Sequence, residues 1–338
     1  MCAGAAFAQE KIGSVVYLEG EVAMVRDGAE INGVAIGQDV QAFDVVKTGS
    51  DGLAELELAS AHTPRLTIKV AADTQFSLEI ASLGGRQQTT LGILGGSISL
   101  KVAKLAGAQD VLVRTDSAAM GVRGTQFTVT SPPTGDVLVT CDEGEVVCTD
   151  DQGTELRARA GTVVEKRPNE LFRSLPVAAT GLETYRAKWI AERIEFLQAN
   201  ALRMIQGNAR LYDRLTRELN VAYAALVTNT KILRTWEDDD KRNPSGAANG
   251  IAKESQVIGA LLARLRRIQF ALERVEFRLR RLRTFHDRGF GRGTLEGGVA
   301  TTQFFERFEK ERRDIERKLA RTRFVSKMYV RRNEGRLP

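Results

Sequence analysis

Two hydrophobic periods follow one another along the chain. Over residues 12–167 apolar and polar positions alternate in short runs, as in Leu66, Ile68 and Val70. A period of two places one face of a strand against a core. The runs recur at intervals of roughly 8 to 12 residues between Gly, Asp and Asn turns, a spacing typical of all-β domains. The sequence therefore predicts an all-β domain, built either as a sandwich or as a short β-solenoid.

From about residue 182 the apolar positions recur with helical spacing. Three helices are predicted. The first covers about residues 182–236 and could break at Gly207 and Asn208, and the second covers about 252–285. The third follows the Gly-rich linker 289–298 and ends at about residue 331. Helices of this length joined by short polar loops are typical of an antiparallel three-helix bundle with coiled-coil-like packing. The second helix carries a heptad seam, formed by Ile258, Leu261, Leu265, Ile268, Leu272, Val275, Leu279 and Leu282.

The start of the chain resembles the end of a secretory signal peptide. Ala6-Phe7-Ala8 forms a small-x-small cleavage site before Gln9. We expect residues 1–8 to be a signal remnant, 9–170 the β domain, 171–181 a linker and 182–338 the helical bundle. No apolar run of about 18 residues occurs, so no transmembrane helix is predicted. The protein is expected to be periplasmic or otherwise exported.

Charge is distributed unevenly between the two parts. The 338 residues are 43% hydrophobic and 27% charged, which excludes an intrinsically disordered chain. Residues 1–170 hold 14 Lys and Arg against 23 Asp and Glu, a net charge of −9, whereas residues 171–338 hold 35 against 20, a net charge of +15. The second predicted helix has a basic face that Glu273 and Glu276 can neutralise only in part. The predicted face consists of Arg264, Arg267, Arg274, Arg278 and Arg281.

Two cysteines flank a hairpin signal around Gly144. If Gly144 and Glu145 are the central turn residues, Cys141 and Cys148 face each other and can form a disulfide. If the turn is one residue earlier, they are diagonal neighbours about 7 to 8 Å apart, beyond comfortable bonding range. A disulfide and two free, half-buried thiols therefore both remain open.

One segment carries a motif that resembles a known family. Residues 113–129, which read VRTDSAAMGVRGTQFTV, are followed by Val137-Leu138-Val139 and by Glu143-Gly144-Glu145-Val146. Upstream come Gly20-Glu21-Val22 and the run 47–56, KTGSDGLAEL. In this order the motifs resemble the FecR domain over about residues 12–167.

The FecR resemblance implies an extracytoplasmic β domain. In iron-dicitrate-type transducers this domain receives a signal from an outer-membrane receptor. Those transducers place a cytoplasmic anti-sigma segment and a transmembrane helix before the domain, whereas a signal remnant is expected here. The family hallmark in this chain comprises Gly121, Val122, Arg123, Gly124, Thr125, Phe127 and Gly144. Glycines around a branched residue are typical of a tight turn, so the hallmark has either a structural role or a role in contacting a partner.

No pattern of catalytic or metal-binding residues accompanies the motif. The chain has only His62 and His286, too few for a histidine-based triad or metal site. His286 is expected to be a partly buried seam residue. The acidic run 237–240 lacks the spacing of a calcium loop and is interpreted as a solvated helix end. Gly-rich runs such as 92–96 precede strands instead of helices, so no phosphate cradle is predicted. We predict no enzyme activity and no cofactor.

These patterns lead to one hypothesis and two alternatives. The protein is predicted to be a non-enzymatic, exported envelope protein with a FecR-like sensing or binding module and a basic helical scaffold or docking domain. The partner would be a protein, an envelope polymer, an anionic membrane surface or the acidic β domain itself, and nucleic acid is not expected. The first alternative is a structural protein that self-assembles as a homo-oligomer through the helical bundle. The second is an enzyme acting on cell-wall glycan.

Overall fold

Alternating apolar residues fold the first half of the chain into two sheets. The computed structural model describes residues 11–27, 29–31, 33–61, 63–83, 85–103, 109–122, 124–167, 170–242 and 252–338. The strands in this part of the chain are β1 (Lys11–Glu19), β2 (Val22–Arg26), β3 (Ala29–Ile31), β4 (Asp39–Gln41), β5 (Val45–Thr48), β6 (Leu53–Ser60), β7 (Thr63–Val70), β8 (Gln75–Leu83), β9 (Arg86–Val102), β10 (Gln109–Arg114), β11 (Ala118–Val122), β12 (Gln126–Ser131), β13 (Val137–Glu143), β14 (Glu145–Asp150), β15 (Glu155–Arg159), β16 (Thr162–Lys166) and β17 (Arg173–Pro176).

Strand β9 belongs to both sheets. Sheet A has the order β4-β1-β6-β7-β9-β12-β13-β16-β17. Sheet B has the order β3-β2-β5-β8-β9-β10-β11-β14-β15. All of these pairs are antiparallel except β9 with β10. The chain passes from one sheet to the other at Gly96, whose φ of +98° is closed to most residues. A Cβ there would lie 2.3 Å from Thr74 Oγ1.

The two sheets enclose one hydrophobic core. Ile68 and Leu100 from sheet A and Phe76 and Met120 from sheet B are all fully buried in the same cluster. Each of these residues alternates with a more exposed neighbour, as the period of two requires. The predicted β-rich first half is therefore confirmed, with its strands arranged in two layers.

The second half is helical, but its described residues form five α-helices instead of three. They are α1 (Leu182–Ala199), α2 (Ala201–Val227), α3 (Thr230–Arg242), α4 (Ala252–Asp287) and α5 (Thr301–Arg332). The specific three-helix bundle is thus not confirmed, because the predicted first helix is divided at Asn200 and again at Asn229. The amide of Asn200 donates to Phe196 O at 2.9 Å and that of Asn229 to Ala225 O at 2.9 Å, which competes with continuation of the helix. Within the described residues, none of the helices combines the length and the apolar character needed to cross a bilayer.

Helices α2, α4 and α5 share a second core. Tyr212 of α2 meets Phe308 of α5 edge to face with ring centroids 5.1 Å apart. The end of α4 leads to Thr294, which accepts a bond from Gln206 near the start of α2, so α2 and α4 run in opposite directions. Helix α1 contributes Leu197 to this core at its end, whereas its first part lies against sheet A, where Trp189 Nε1 donates to Glu165 Oε2 at 2.7 Å.

Candidate functional site between sheet B and helix α4

Helix α4 has two buried faces, because two sets of residues recur along it at intervals of three and four. The first face is apolar and faces α2 and α5. It matches the predicted seam with one difference, since Leu262 is fully buried where Leu261 is only partly so. The second face alternates arginine with phenylalanine and contacts sheet B. It consists of Arg266, Phe270, Arg274, Phe277, Arg278, Arg280 and Arg281.

The arginines of the second face bind carboxylates on sheet B. Asp116, in the turn between β10 and β11, accepts from both Arg274 and Arg278, the latter at 2.6 Å. Asp73, just before β8, pairs with Arg281. Further along β8, Glu79 pairs with Arg266 at 2.9 Å, and the amide oxygen of Gln75 accepts from Arg280. These four acceptors are distributed along nearly the whole length of the contact between α4 and sheet B.

Two glycines of β9 let the phenyl rings of α4 reach the sheet backbone. A Cβ on Gly95 would lie 1.9 Å from Phe277 Cε1, and one on Gly92 would lie 2.9 Å from Phe270 Cε2. Contacts this short do not occur between real side chains, so both positions require the absence of a side chain. The Gly-rich run 92–96 therefore serves close packing of a helix on a sheet.

Electrostatic attraction acts together with this packing. Partial burial would raise the pKa of Asp116, but the guanidinium groups of Arg278 and Arg274 outweigh it and hold the pKa below its usual value. The Arg274 guanidinium also lies over the Phe270 ring, with its central carbon 4.8 Å from the ring centroid, in cation-π geometry. Asp116 is therefore ionised at neutral pH and held between two cations.

The carboxylates of α4 itself are buried beside the arginine face. Glu273 accepts from Gln269 at 3.0 Å and pairs with Arg323 of α5. Glu276 is also buried, and its Oε1 has no hydrogen-bond partner among the described residues. Burial, with a smaller contribution from the negative charge of Glu316, raises the pKa of Glu276 to about 8. Glu276 is thus largely protonated at neutral pH, unlike Asp116.

Helix α5 also contacts the β region. Lys327 is 1% exposed, and its Nζ donates to both carboxylate oxygens of Asp27 at 2.7 and 2.8 Å. Just after α5, Gly335 O accepts a backbone bond from Ser82 N of β8 at 2.8 Å. The two parts of the chain are consequently joined by α5 as well as by α4.

A cleft of about 630 Å³ lies where sheet B, α4 and α5 meet. Sheet B contributes Glu79 and Thr90 to its lining, α4 contributes Arg266 and Phe270, and α5 contributes Arg323. The cleft therefore requires both parts of the chain to be in place.

The predicted basic face is divided between the interface and solvent. Arg274, Arg278 and Arg281 contact sheet B, as described above. Arg264 and Arg267 are exposed and form no ion pair within the described part of the chain. Only these two are accessible to a further partner, although Arg267 also borders the cleft.

The hallmark glycines lie where the chain crosses twice between the sheets. Gly124, with φ of +64°, connects β11 of sheet B to β12 of sheet A, and Gly144, with φ of +84°, connects β13 back to β14. A Cβ on Gly144 would lie 2.8 Å from Thr125 Cγ2, so the two crossings touch. This geometry favours a structural role for Gly124, Thr125 and Gly144.

The other hallmark residues have different surroundings. Phe127 is fully buried and pairs with Leu100 and Cys141 in sheet A. Val122 is buried next to Val146 in sheet B, whereas a Cβ on Gly121 would meet nothing within 4 Å. Arg123 lies outside the described residues, so its proposed structural or partner contact stays a prediction.

The cysteines occupy different sheets. The predicted hairpin is not formed, because β13 with Cys141 pairs with β12 and β16, whereas β14 with Cys148 pairs with β11 and β15. Both thiols are free and buried, which contradicts the disulfide alternative. Burial raises the pKa of Cys141 to about 11 and that of Cys148 to about 12. Neither thiol is a ready nucleophile.

The acidic run 237–240 corrects a second interpretation. It was expected at a solvated helix end, but Asp240 is 6% exposed and pairs with Arg331 of α5. Asp239 binds Arg332 at 3.1 Å, and Glu237 binds Arg321. The run therefore anchors α3 to the end of α5.

The histidines add no chemistry to this site. His286 is buried and lies 3.0 Å from Thr301 Oγ1 through its Nε2, and burial lowers its pKa. His62 lies outside the described residues. Within the described part of the chain, no three His, Cys, Asp or Glu side chains are grouped to hold a metal ion.

The acidic partners and the aromatic contacts of α4 are not evident from the sequence. Asp73, Glu79 and Asp116 are 158 to 208 residues from the arginines they bind in the chain numbering, and no local pattern distinguishes them from other acids. Two features of the sequence bear on these contacts: Phe270 and Phe277 are seven residues apart on a basic helix, and the Gly-rich run 92–96 leaves a strand surface without side chains.

The molecule thus consists of a β-sheet region and a helical region, and the helical region docks on the β-sheet region through the arginine and phenylalanine face of α4. Residues 44–147, from just before β5 into β14, match the FecR protein family. This match confirms the FecR resemblance over residues 44–147, a narrower range than the predicted 12–167. No curated protein matches the sequence.

Structural comparison gives distant likenesses. Two crystal structures of a proposed anti-sigma factor from Parabacteroides distasonis ATCC 8503, at 2.50 and 1.65 Å resolution, are 13% and 12% identical to the chain. Each likeness covers 42% of this chain and 63% of the other, with a TM-score of 0.34. The chain thus spans less than two thirds of those proteins, and the TM-score is too low to indicate a shared overall fold.

Proposed function

We propose that the protein is a non-enzymatic signalling protein of the cell envelope, in which the FecR domain binds or senses a protein partner and the helical region is a docking scaffold. One observation carries this proposal: the residues that match FecR are the ones that hold α4. Asp73, Glu79 and Asp116 all lie within residues 44–147. The helical region is therefore bound to the segment that, by the FecR resemblance, would receive the signal.

The interface offers a physical route for the signal. A partner that binds the FecR domain with different affinity in the docked and undocked arrangements shifts the balance between them. Ion pairs such as Arg278 with Asp116 can separate when water replaces the partner, at a modest cost for groups that are partly exposed. The helices would then present the released arginines to a second partner.

Export is part of the proposal. The signal-like residues 1–8 support it, although they lie outside the described residues. In that location, Arg264 and Arg267 are free to contact an envelope polymer or an anionic membrane surface. Nucleic acid is not an expected partner there.

A genetic experiment tests the signalling role. Deletion of the gene followed by RNA sequencing is expected to change a restricted set of transcripts, and the wild-type gene is expected to restore them. Asp116→Arg should fail to restore them because it repels Arg274 and Arg278. Glu218→Arg, a matched charge reversal at an exposed position of α2, should restore them. Immunoblotting checks that both variants accumulate, and an unchanged transcript profile after deletion contradicts the proposal.

Fractionation of the same strain tests the location. The protein is expected to be recovered in the fraction that contains periplasmic markers. Recovery only with cytoplasmic markers would contradict the proposed location in the cell envelope, but it would not affect the FecR match.

A self-assembling structural protein is the alternative function. The exposed Phe196 of α1 and Val221 of α2, at 49% and 62% exposure, favour it because apolar side chains in solvent often mark contacts. Sedimentation velocity of the whole chain separates the two functions. Oligomers that are lost in the Phe196→Ser and Val221→Ser variants would support self-assembly. A monomer across the concentration range would support the signalling role.

A further inference from the structure

The cleft between sheet B, α4 and α5 contains more positive than negative charge. Four arginines and two glutamates line it, and the residues come from both parts of the chain. The charged side chains of the lining are Arg114, Arg266, Arg267, Arg323, Glu79 and Glu273, and Pro338, the last residue of the sequence, also lines the cleft. A cleft with a surplus of guanidinium groups attracts anions, because its low-dielectric walls strengthen their field.

Only part of this positive charge is neutralised within the protein. Glu79 pairs with Arg266 and Glu273 pairs with Arg323. Arg114 and Arg267 form no ion pair in the described residues, and both are exposed at the rim. Of the two terminal nitrogens of Arg266, Nη2 binds Glu79, whereas Nη1 is buried and has no hydrogen-bond partner among the described residues.

That orphaned nitrogen points to a ligand. A buried donor without an acceptor is costly, so native proteins rarely retain one. An oxyanion in the cleft would supply the missing acceptor. The planar fork of a guanidinium matches the two oxygens of a carboxylate or of a phosphate better than any other common anion geometry.

The uncharged lining of the cleft is partly apolar and partly polar, and Ser77, Thr90, Gln269 and Ser326 are its polar members. Phe43, Leu78 and Phe270 line the cleft, and Gly92 leaves room for the Phe270 ring. Phe43 has φ of +71°, which is unusual for a bulky residue, and its N–H donates to Leu78 O at 2.8 Å. Phe43 thus lines the cleft in a backbone conformation that a bulky residue disfavours, and such strain is often found at functional sites.

We propose that the cleft binds a small organic oxyanion, a carboxylate or phosphate monoester carried on an apolar body the size of one or two rings. Its oxygens would accept from Arg266, Arg114 and Arg267, and its body would contact Phe43 and Phe270. The volume of about 630 Å³ lies within the usual range for small-molecule sites. This inference does not depend on the signalling role.

Binding at this position has a consequence for the whole molecule. The lining comes from sheet B, α4 and α5, so the ligand binds the docked arrangement and not the separated parts. Mass action then stabilises the docked arrangement in proportion to ligand occupancy. The ligand is therefore expected to raise the melting temperature of the protein.

Isothermal titration calorimetry of the whole chain tests the proposal with four probes. Naphthalene-2-carboxylate and 2-naphthyl phosphate carry the proposed anion on an apolar body, 2-naphthalenemethanol is the neutral counterpart, and inorganic phosphate lacks the body. We expect at least one naphthyl anion to bind one site with Kd below about 1 mM. The alcohol and inorganic phosphate should each bind at least about tenfold more weakly. The stronger of the two anions identifies the preferred oxyanion.

Two rim variants and a matched control locate the site. Arg267→Gln and Arg114→Gln should each weaken binding of the anion at least about fivefold, because each removes a charge-assisted contact. Arg264→Gln removes the same charge from the next turn of α4, outside the cleft, and should leave the affinity unchanged. All three residues are exposed, so their loss is not expected to prevent folding.

Three results would overturn the proposal. The first is that neither naphthyl anion binds. The second is that the alcohol binds as tightly as the anions, and the third is that Arg264→Gln weakens binding as much as Arg267→Gln. The last result would show that the anion responds to the general charge of α4 and not to the cleft.

Discussion

In the described residues, the β region buries four carboxylates and no cation, whereas the helical region buries charges of both signs. The carboxylates of the β region are Asp44, Asp136, Asp150 and Glu165. The buried cations of the helical region are Lys327, Arg331 and Arg332. The difference follows the net charges of −9 and +15 in the two parts of the sequence.

Each region supplies counter-charges for the other. Asp27, Asp73, Glu79 and Asp116 of the β region bind cations of α4 and α5. On the opposite side, Glu165 binds Trp189 of α1. Charges removed from water are costly unless they are paired, so the two regions stabilise each other in this form.

The largest effect is expected from closing the space that β9 leaves for α4. Gly95→Ala places a Cβ against the Phe277 ring and should lower the free energy of unfolding by about 1–3 kcal/mol, the usual cost of overpacking. Urea denaturation measures it. Gly121→Ala, in β11 of the same sheet with open space at the Cβ position, is the control and should cost less than about 0.5 kcal/mol. Equal costs for the two variants would contradict the close contact of α4 with β9.

A smaller effect is expected when the buried cation of α5 loses its carboxylate. Asp27→Asn leaves Lys327 without a counter-charge and should cost about 1–2 kcal/mol of unfolding free energy, because the Asp27 side of the pair is partly exposed. Asn tolerates the positive φ of 49° at this position, so the change isolates the charge.

Glu218→Gln provides the control for the Asp27 variant. It breaks an exposed pair on α2, with Arg214 3.9 Å away, and should cost no more than about 0.5 kcal/mol. A cost for Asp27→Asn as small as this would show that Lys327 does not need its partner.

The pH dependence of stability tests whether Glu276 is buried in its protonated form. The pKa of Glu276 is raised from 4.5 to about 8, so between these values the folded protein holds a proton that the unfolded chain has released. Stability therefore falls as pH rises through this window, by at most about 1.4 kcal/mol per pH unit from this group. Glu276→Gln imitates the protonated form and should reduce that slope, making the variant more stable than wild type at pH 8 and about equal at pH 5. Urea titrations at both pH values test this, and parallel curves would contradict it.

The smallest effect concerns the thiols of the β region. With Cys2 replaced by Ser, native protein at pH 8 should react only slowly with Ellman's reagent, because burial raises the pKa of Cys141 to about 11 and of Cys148 to about 12. Unfolding in guanidinium should release both thiols. Rapid reaction of the native protein would contradict their burial, and failure to react after unfolding would indicate the disulfide.

The sequence predicts local structure better in the β region and in α4 than elsewhere. Alternation identifies the strands because their period is short and their core lies on one side. The seam of α4 is long enough to give a clear helical period, and all but one of its members are fully or nearly fully buried. The breaks at Asn200 and Asn229 were missed, since a side-chain amide bound to its own helix leaves the apolar period unchanged.

The candidate site is less predictable, because its partners are far apart in the chain. An excess of arginine on α4 was evident, but the sequence does not indicate that Asp116 is the acid that meets Arg274 and Arg278. The same holds for the cysteines, whose separation into two sheets depends on where the chain crosses at Gly144. Crossings between sheets are set by tertiary packing and have no period of their own.

The arginine face of α4 is bound to the β region of its own chain. A double-mutant cycle with Asp116→Asn and Arg278→Gln measures this contact most directly, through the unfolding free energies of the four proteins at low ionic strength. The structure predicts a coupling energy of about 0.5–3 kcal/mol, the range for residues in contact. A coupling energy indistinguishable from zero, with additive effects of the two substitutions, would contradict the docking of α4 on sheet B.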